Sequence, residues 1–276
     1  MGRRAYMDLR LTNKVALITG TNNPQGIGAA TALAFAREGV RLALVYKKIP
    51  HGYDESKTGT DGVDRYFKAN SGDMAEVEAQ LRALNADYLV LERDISDENS
   101  VNDIYDRVIG RFGRVDILVN NAAAAYDGDH DTIETITQNV IDETFAVNVR
   151  GTLLMTREFV KRRGDYGRVI NFSTDAAQAF PGQQITYAAS KAAIEAFTRS
   201  IAIGVGKYNI TVNCIAPGPT QTGWIDEDLA GAVLPQIPLG KLIQPQDIAE
   251  TVMFLASERA AMVTGQVIKV SGGHAL

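Results

Sequence analysis

Residues 14–34, KVALITGTNNPQGIGAATALA, join a strand to a helix through a glycine-rich turn. Residues 15–18 form an unbroken apolar run, which is typical of a strand buried on both faces of a parallel sheet. Three glycines follow, and apolar residues then recur at helical spacing. The first turn of such a helix favours a phosphate, because its N–H groups point outward and the helix dipole attracts an anion. The predicted phosphate contacts are Gly20, Gly26, Ile27 and Gly28.

Apolar runs and helical segments alternate along the rest of the chain. Further runs occupy residues 42–46, 88–91, 115–119, 169–172, 211–215 and 267–270. Together with the first run they predict an α/β fold, a Rossmann-like doubly wound sheet of seven parallel strands in a single domain. Ligands of such a sheet bind outside the carboxyl ends of the strands. The residues that follow each run are therefore the candidates for chemistry.

Composition and the N-terminus limit the classes of partner. The net charge of −5 argues against nucleic acid as the main partner, because that needs a concentrated basic face. The chain lacks the apolar run of about 18 residues that would span a membrane. Residues 1–12 lack the apolar core of a secretory signal and are predicted to be a flexible lead-in to a domain of residues 13–276. We therefore expect a cytoplasmic protein.

The metal-ligating residue types do not form a site in the sequence. Cys214 is the only cysteine and lies in an apolar run, so we expect a buried, inert thiol. The acidic residues 127–131 lack the glycine and the final glutamate of an EF-hand loop. His51, His130 and His274 are far apart. No metal is therefore predicted.

Two features follow the second apolar run. Lys47 and Lys48 stand where a carboxylate would accept the ribose hydroxyls of NAD, and a cation there can pair with the extra phosphate of NADP. The sequence therefore favours NADP(H) over NAD(H), with Lys47 as a contact. Residues 49–73 are rich in turn-forming types and predict an irregular surface insertion, either a flap beside the adenosine end of the cofactor or a passive loop. Its acidic residues could take the ribose hydroxyls instead: Asp54, Glu55, Asp61 and Asp64.

Tyr187 and Lys191 lie four residues apart at the start of a long helical segment, so they share one helix face. A free phenol has a pKa of about 10, and a neighbouring ammonium lowers it. Lowering the pKa by about three units requires roughly 4 kcal/mol, much of which one close cation can supply at low dielectric, helped by the cofactor charge. The pair therefore predicts a general acid/base that transfers a proton near neutral pH.

These motifs together resemble those of the short-chain dehydrogenases/reductases. The turn of residues 19–28, T-G-x5-G-I-G, is similar to the family's T-G-x3-G-x-G turn with two residues inserted, which leaves the path of its middle open. The family places a catalytic serine thirteen residues before the tyrosine, and this position is Thr174, with Ser173 as the neighbouring alternative. The resemblance also implies that Asn148 holds a water linking Lys191 to solvent. The implied catalytic set is Asn148, Thr174, Tyr187 and Lys191.

The resemblance extends from Asn13 to Gly273 and implies further cofactor contacts. An Asp-Ile pair follows the third run, Asn-Asn-Ala-Ala follows the fourth where the family has Asn-Asn-Ala-Gly, and a Pro-Gly turn with threonines follows the sixth. In the family these elements hold the adenine, pack on the adenosine, and meet the carboxamide or a phosphate. The implied contacts are Asp94, Ile95, Asn120, Ala122, Tyr187, Lys191, Pro217, Gly218, Thr220 and Thr222.

The resemblance implies an enzyme that transfers a hydride between a nicotinamide and a small carbonyl compound or secondary alcohol. Within the family the chain is most similar to the 3-oxoacyl carrier-protein reductases, from Pro238 to Gly273, which makes an acyl thioester a possible substrate. The family's usual assembly implies a homo-oligomer, a dimer or a homotetramer.

Three alternatives stay open. The glycine-turn spacing also resembles the enoyl carrier-protein reductases, but that branch sets its tyrosine seven residues before the lysine, where this chain has Gln184. A dinucleotide-binding regulator without turnover would keep the turn, yet it would not need the four catalytic residues. A structural interaction module would need an exposed apolar helix face and no pocket.

Overall fold

A computed structural model describes residues 8–124, 131–179 and 182–275, and within them seven strands form one parallel sheet. The strands are β1 (Val15–Thr19), β2 (Arg41–Tyr46), β3 (Tyr88–Glu92), β4 (Ile117–Asn120), β5 (Gly167–Phe172), β6 (Ile210–Pro217) and β7 (Val267–Val270). Their order across the sheet is β3-β2-β1-β4-β5-β6-β7. Because the chain runs outward from β1 on one side and from β4 on the other, the sheet is doubly wound. The predicted seven-stranded, single-domain α/β fold is confirmed.

Helices cover both faces of the sheet. They are α1 (Ile27–Arg37), α2 (Val63–Ser71), α3 (Ala75–Ala83), α4 (Glu98–Phe112), α5 (Gln138–Phe145), α6 (Thr152–Lys161), α7 (Ala176–Ala179), α8 (Ile185–Val205), α9 (Glu227–Val233) and α10 (Pro245–Ala256). A π-helical turn, Ala146–Gly151, joins α5 to α6. Helices α1, α3 and α10 bury apolar residues on one face, and α4, α6 and α8 bury theirs on the other.

Strand β1 shows why its apolar run is unbroken. Ala16 and Ile18 join the core on the α1 and α10 face, whereas Val15 and Leu17 join the core on the α4 and α6 face. Both faces exclude water, so apolar side chains suit both. Strand β1 pairs with β2 on one side and with β4 on the other. The turn that follows β1 therefore lies at the switch point in the middle of the sheet edge.

The packed part of the chain begins before the predicted boundary at residue 13. Leu11 is 1% exposed and belongs to the core on the α1 face. Its carbonyl accepts a hydrogen bond from Lys14 N at 3.0 Å, and the Asp8 carbonyl accepts one from Arg259 Nε at 3.1 Å. The prediction of a flexible lead-in is therefore wrong for residues 8–12, because Leu11 fills an apolar site. Residues 1–7 lie outside the described part of the chain.

The insertion of residues 49–73 is more regular than predicted. It contains a short 3-10 turn, Glu55–Lys57, followed by the nine-residue helix α2. The His51 ring stacks on Phe67 of α2, with ring centroids 4.3 Å apart. Glycines and acidic residues mark the loop before the helix, but Val63, Tyr66 and Phe67 recur at helical spacing within it. The prediction of an irregular segment is therefore wrong for its second half.

Candidate active site

The glycine turn after β1 is fixed by a close backbone approach. Gly20 has a φ of +74°, a backbone conformation that would be strained in any residue with a side chain. A Cβ on Gly28 would lie 2.2 Å from the Gly20 carbonyl oxygen and 2.7 Å from Nδ2 of Asn121. Neither neighbour can retreat, because one is backbone and the other is hydrogen-bonded. The start of α1 therefore reaches the end of β1 only because residue 28 is glycine.

The first turn of α1 fits an anionic group. Its N-cap residue, Gly26, supplies no capping side chain, and the turn holds no acidic residue. The helical hydrogen bonds begin with Ala30 N donating to Gly26 O at 3.0 Å, so the amides of residues 27–29 lack a helical partner, whereas Gly26 N donates to Asn23 O at 2.9 Å. Amides at a helix N-terminus, with glycines at positions 26 and 28, suit the pyrophosphate of a dinucleotide. The predicted residues Gly26, Ile27 and Gly28 could hold this group.

Two asparagines set the path of the middle of the turn, which the sequence left open. Nδ2 of Asn22 donates to the carbonyl oxygens of Asn70 (3.0 Å) and Gly72 (3.1 Å) at the C-terminal end of α2. Nδ2 of Asn23 donates to the carbonyl of Thr222 at 3.0 Å, in the segment after β6. The longer turn therefore connects the phosphate-binding loop to two neighbouring segments.

Asn121 joins the turn after β1 to the turn after β4. Its Nδ2 donates to the carbonyl oxygens of Thr19 (2.9 Å) and Gly20 (2.8 Å). Oγ1 of Thr19 accepts hydrogen bonds from the amides of Asn121 (3.1 Å) and Ala122 (3.0 Å). The predicted contact Ala122 thus lies directly against the glycine turn. Asn121 lies in the Asn-Asn-Ala-Ala stretch that marked this turn in the sequence, but only its neighbours Asn120 and Ala122 were predicted as cofactor contacts.

Lys47 and Asp94, two predicted cofactor contacts, form an ion pair with 2.6 Å between Nζ and Oδ2. Partial burial raises the pKa of Asp94, but hydrogen bonds from Lys47 and Ser96 outweigh burial and hold the pKa below its ordinary value. The Lys47 side chain is still 55% exposed. Because an ammonium has three donors, Lys47 retains capacity for a phosphate. Nζ of Lys48 lies 3.8 Å from Oε2 of Glu92.

Two predicted contacts direct their side chains into the core. Ile95 is 5% exposed, and its Cγ1 would lie 2.9 Å from a Cβ on Gly151. Nδ2 of Asn120 donates to Thr156 Oγ1 (3.1 Å) and to Asn171 Oδ1 (2.8 Å). The cause is local, since Asn120 ends the buried strand β4 and Ile95 packs against the π-helical turn at Gly151. Any contact with a cofactor from these positions must use backbone atoms.

The segment after β6 forms another side of the site. Pro217 ends β6, and a Cβ on Gly218 would lie 3.0 Å from Oδ2 of Asp175. Thr220 is buried, and its hydroxyl donates to the Gly218 carbonyl at 2.8 Å. The hydroxyl of Thr222 is half-buried and makes no hydrogen bond within the described part of the chain. Of the two predicted threonine contacts, Thr222 is therefore the one with a free hydroxyl.

Tyr187 and Lys191 share one face of α8, as their spacing predicts. Nζ of Lys191 lies 5.5 Å from the centre of the Tyr187 ring. Lys191 is 2% exposed, and its Nζ donates to the carbonyl of Phe172 at 2.9 Å. Burial lowers the pKa of Lys191 to about 8. Strand β5 ends at Phe172, so this bond fixes the pair beside the carboxyl edge of the sheet.

The pKa of Tyr187 differs from the sequence expectation. Burial raises it, and the nearby Tyr66 and Asp175 raise it further. The protein's own side chains therefore do not give the depressed pKa that the Tyr187–Lys191 spacing predicts. The reason is that burial disfavours the Tyr187 phenolate, and the Lys191 ammonium is bound to a carbonyl. Tyr187 is protonated at neutral pH, which is the form that donates a proton.

The structure separates the two candidate hydroxyls at the end of β5. Oγ of Ser173 is buried and donates to Glu195 Oε1 at 2.8 Å and to the Lys191 carbonyl at 3.3 Å. Oγ1 of Thr174 is half-buried and accepts a hydrogen bond from Ala176 N at 3.3 Å. The Thr174 hydroxyl keeps its proton available to a substrate, whereas Ser173 points into the protein. This geometry favours Thr174, the preferred sequence candidate.

Asn148 is fully buried, and its side chain has an architectural role. Its Oδ1 accepts from Ala124 N (2.8 Å), and its Nδ2 donates to Ala124 O (2.9 Å) and Ser190 Oγ (2.9 Å). These bonds leave the amide no direct contact with Lys191. Asn148 lies in the π-helical turn, where the regular helical hydrogen-bond pattern is interrupted. A link from Asn148 to Lys191 would therefore use its backbone.

Asp131 caps the helix that carries Tyr187, which the sequence did not reveal. It is fully buried, and its carboxylate accepts from Thr186 N (2.8 Å), Thr186 Oγ1 (2.7 Å) and Tyr187 N (3.1 Å). A carboxylate at this end also complements the helix dipole. Gln184, which precedes α8, has a φ of +63°. Asp131 therefore fixes the position at which Tyr187 enters the site.

A carboxylate–imidazole pair also borders the site. Nδ1 of His274 lies 2.7 Å from Oδ2 of Asp175, the residue after Thr174. Burial raises the pKa of Asp175, although His274 opposes this shift. The two residues are 99 positions apart in the chain, so no local pattern could reveal the pair.

Residues 8–124, 131–179 and 182–275 contain no cluster of three or more His, Cys, Asp or Glu side chains that could hold a metal ion. Of the acidic stretch considered for an EF-hand, residues 127–130 lie outside these ranges. Cys214 is buried, and burial raises the pKa of its thiol to about 12. The expectation that the thiol is buried is confirmed. No helix in these ranges is long and apolar enough for a membrane span.

Comparison with known proteins gives consistent matches. A family model described as enoyl-(acyl carrier protein) reductase matches residues 56–275. A short-chain dehydrogenase/reductase of Pestalotiopsis microspora is 32% identical, covering 97% of each chain. NADPH-dependent aldehyde reductase 2, chloroplastic, of Arabidopsis thaliana is 33% identical, covering 96% of this chain and 95% of that one. A blue fluorescent protein from a metagenomic library, solved with NADPH, superposes with a TM-score of 0.80 at 29% identity, covering 96% of this chain and 99% of that one.

This chain belongs to the short-chain dehydrogenase/reductase family. It is therefore an oxidoreductase that uses a nicotinamide cofactor. The glycine turn, with its close approach of Gly28 to Gly20, fits this cofactor class.

Asp131→Ala should destabilise the protein and slow turnover, because it leaves buried donors at the start of α8 without an acceptor. We expect a loss of roughly 1–3 kcal/mol in the free energy of unfolding. Urea unfolding followed by circular dichroism measures it. Asp131→Asn, which keeps one acceptor oxygen, should lose less. Asp226→Ala is the control, because Asp226 caps α9 from an exposed position. Wild-type stability of Asp131→Ala would contradict the capping role.

Thr174→Ala should lower kcat by about 10²-fold, because it removes a hydrogen-bond donor to the substrate oxygen. Thr174→Ser should retain most of the activity. Ser173→Ala should reduce stability, through the lost bond to Glu195, and leave kcat nearly unchanged. Steady-state kinetics at saturating NADPH distinguishes the variants. If Ser173→Ala is the inactive one, the assignment is displaced by one residue.

Proposed function

We propose that this protein is an NADPH-dependent reductase of small carbonyl compounds, and that the same site oxidises the corresponding alcohols in reverse. The observation that carries the proposal is the arrangement at the end of β5. There Lys191 is bound to the Phe172 carbonyl, Tyr187 lies one helical turn away, and Thr174 presents a half-buried hydroxyl. This arrangement can hold a carbonyl oxygen and protonate it.

Each residue has a distinct role in the proposed reaction. The nicotinamide, when bound, supplies the hydride. Tyr187 donates its hydroxyl proton to the carbonyl oxygen, and Thr174 holds the same oxygen by a hydrogen bond. Lys191, with a pKa of about 8, is mostly cationic at pH 7 and can hold the nicotinamide ribose. Its positive charge favours the Tyr187 phenolate that forms when the proton leaves. Asn148 would complete the proton path through its backbone.

The preference for NADPH is supported by charge. Lys47 and Lys48 follow β2, and Lys47 is more than half exposed. The carboxylates that could replace them as ribose acceptors are engaged within the insertion. Asp54 accepts from Ser56, Glu55 pairs with Lys68, Asp61 pairs with Arg65, and Asp64 accepts from Asp54 N. The Arabidopsis relative, named as NADPH-dependent, agrees with this preference.

An enoyl-thioester reductase is the main alternative, and it matches the description of the family model. The residue seven positions before Lys191 is Gln184, which cannot act as that branch's tyrosine. A regulator without turnover would not need Tyr187 and Lys191 to be placed together. A 3-oxoacyl thioester remains one candidate substrate. A panel of aldehydes, ketones, 3-oxoacyl thioesters and enoyl thioesters, assayed by NADPH oxidation, separates these possibilities.

We also propose a homo-oligomer, a dimer or a homotetramer. Large apolar side chains are exposed on several helices, and an assembly would bury them. They include Ile141 of α5, Leu153 of α6, Ile203 of α8, and Met262 after α10. Size-exclusion chromatography with light scattering gives the mass directly, and a monomer at micromolar concentration would contradict the proposal.

Tyr187→Phe should abolish turnover, with kcat reduced by about 10²–10⁴-fold, because it deletes the proton donor. NADPH binding should change little, since no phosphate contact is lost. Stopped-flow turnover and fluorescence titration measure the two quantities. Tyr208→Phe is the control, because Tyr208 is a tyrosine remote from α8's first turn, next to Arg163. More than about a tenth of wild-type kcat in Tyr187→Phe would exclude its role as general acid.

The double substitution Lys47→Ala/Lys48→Ala should weaken NADPH binding by about 10- to 150-fold, the range expected for one charge-assisted contact. NADH binding should change little, and added salt should reduce the wild-type preference. Fluorescence titration gives the dissociation constants. Lys57→Ala, an exposed lysine of the insertion, is the control. An NADH preference in the wild type, or an unchanged double variant, would show that another element sets the cofactor choice.

A further inference from the structure

The segment that follows β6 is held by two neighbours at consecutive backbone carbonyls. Nδ2 of Asn23, in the glycine turn, donates to the Thr222 carbonyl at 3.0 Å. The backbone N–H of Gly62, the N-cap residue of α2, donates to the Gly223 carbonyl at 2.8 Å. Gly223 has a φ of +96°, and a Cβ there would lie 2.7 Å from Oε1 of Gln25. The glycine turn and the segment after β6 are therefore in direct contact.

Asn23 is itself fixed within the glycine turn. It is 6% exposed, its Oδ1 accepts from Gln25 N at 3.0 Å, and its carbonyl accepts from Gly26 N at 2.9 Å. Gly26 is the N-cap residue of α1, so Asn23 lies just before the amides that fit an anionic group. Asn23 also belongs to the middle of the turn, which has two residues more than the family's T-G-x3-G-x-G turn. A residue of the longer turn thus connects the phosphate-binding end of the site to Thr222.

Thr222 offers a hydroxyl that suits a phosphate oxygen. This hydroxyl is half-buried, and it makes no hydrogen bond with the residues that the structure describes. Because the Thr222 carbonyl is bound by Asn23, Thr222 lies next to the turn whose amides at residues 27–29 lack a helical partner. A threonine hydroxyl can donate one hydrogen bond, and the N-terminus of a helix already favours an anion.

We propose that Asn23 is a positioning residue for the cofactor, and that it holds Thr222 so that the Thr222 hydroxyl donates to the pyrophosphate. The inference rests on the proposed function, in which the glycine turn binds a nicotinamide dinucleotide. A held carbonyl leaves Thr222 fewer conformations, so less entropy is lost when its hydroxyl binds the phosphate. The pyrophosphate is common to NADPH and NADH, so Asn23 should affect both cofactors alike. Lys47 and Lys48, by contrast, should affect only NADPH.

The test is a double-mutant cycle on the dissociation constants of NADPH and NADH, measured by fluorescence titration. Thr222→Val removes the hydroxyl and keeps a branched side chain. It should weaken both cofactors by about tenfold, the scale of one hydrogen bond to a charged group. Asn23→Ala should weaken both by a smaller factor, about threefold. In the Thr222→Val background, Asn23→Ala should change the constants by less than about twofold, because the hydroxyl that it positions is already absent.

A matched control separates positioning from a general loss of stability. Asn213 is also a buried asparagine, and its Nδ2 donates to the Val263 carbonyl at 2.8 Å. It lies in β6, which two strands separate from β1. Asn213→Ala should lower the thermal unfolding temperature, as Asn23→Ala does, and leave both dissociation constants at their wild-type values.

Hydrogen exchange of the protein without cofactor gives a second readout. Asn23→Ala should speed exchange of the amides of residues 221–225, because their segment loses its bond to the glycine turn. Asn23→Asp keeps the acceptor for Gln25 N and loses the donor to the Thr222 carbonyl, so it should speed the same amides. Asn213→Ala should leave them unchanged. Wild-type exchange of this segment in both Asn23 variants would contradict the holding role.

The outcomes of the binding cycle separate this inference from the proposed function. An equal loss from Asn23→Ala in both backgrounds would show that Asn23 acts on the glycine turn itself, and would overturn the inference. Unchanged binding in Thr222→Val or in Asn23→Ala would also overturn it, while the proposed function would stand. If the wild type prefers NADH, or binds cofactor and reduces no carbonyl compound, the proposed function is wrong, and the cycle still decides the role of Asn23.

Discussion

The structure of the site depends on one steric constraint, the approach of Gly28 to the carbonyl oxygen of Gly20. A Cβ there would lie 2.2 Å from that oxygen, so even a methyl group would force α1 away from β1. The same contact leaves space for the Asn121 amide, which bonds both Thr19 and Gly20 and thereby ties the turn after β1 to the turn after β4. The parallel sheet provides the carboxyl edge at which ligands bind. This contact places the N-terminus of α1, and with it the positive end of the helix dipole, at that edge.

Local sequence patterns predicted the sheet and the Tyr187–Lys191 pair, because both depend on residues that are close in the chain. A strand buried on both faces favours an apolar run, and residues 15–18 of β1 form one. A tyrosine and a lysine four apart in a helix must share a face. The remaining parts depend on contacts between distant residues. Asp131 caps α8 across 55 positions, and His274 meets Asp175 across 99. Helix α2 was not predicted, because the apolar residues at helical spacing are few and turn-forming residues surround them.

Burial gives the site chemistry that the residue spacing alone did not predict. The spacing suggested an ammonium that draws the tyrosine pKa toward neutrality. In the structure, Lys191 is bound to the Phe172 carbonyl and has a pKa of about 8, and burial raises the pKa of Tyr187. A protonated phenol beside a cation suits proton donation more than proton removal. The protein's own groups thus keep the phenol of Tyr187 protonated at neutral pH.

The bonds from Asn22 to the end of α2 have a consequence for recombining parts of related enzymes. About fifty residues separate Asn22 from the C-terminal end of α2. Its side-chain amide nevertheless donates hydrogen bonds to two carbonyl oxygens there. A graft of α2 onto a relative with the shorter turn would leave these carbonyl oxygens without a donor. A graft of the longer turn alone would leave a buried amide without acceptors. The two segments therefore form a single exchangeable unit, and a chimera that divides them should fold poorly.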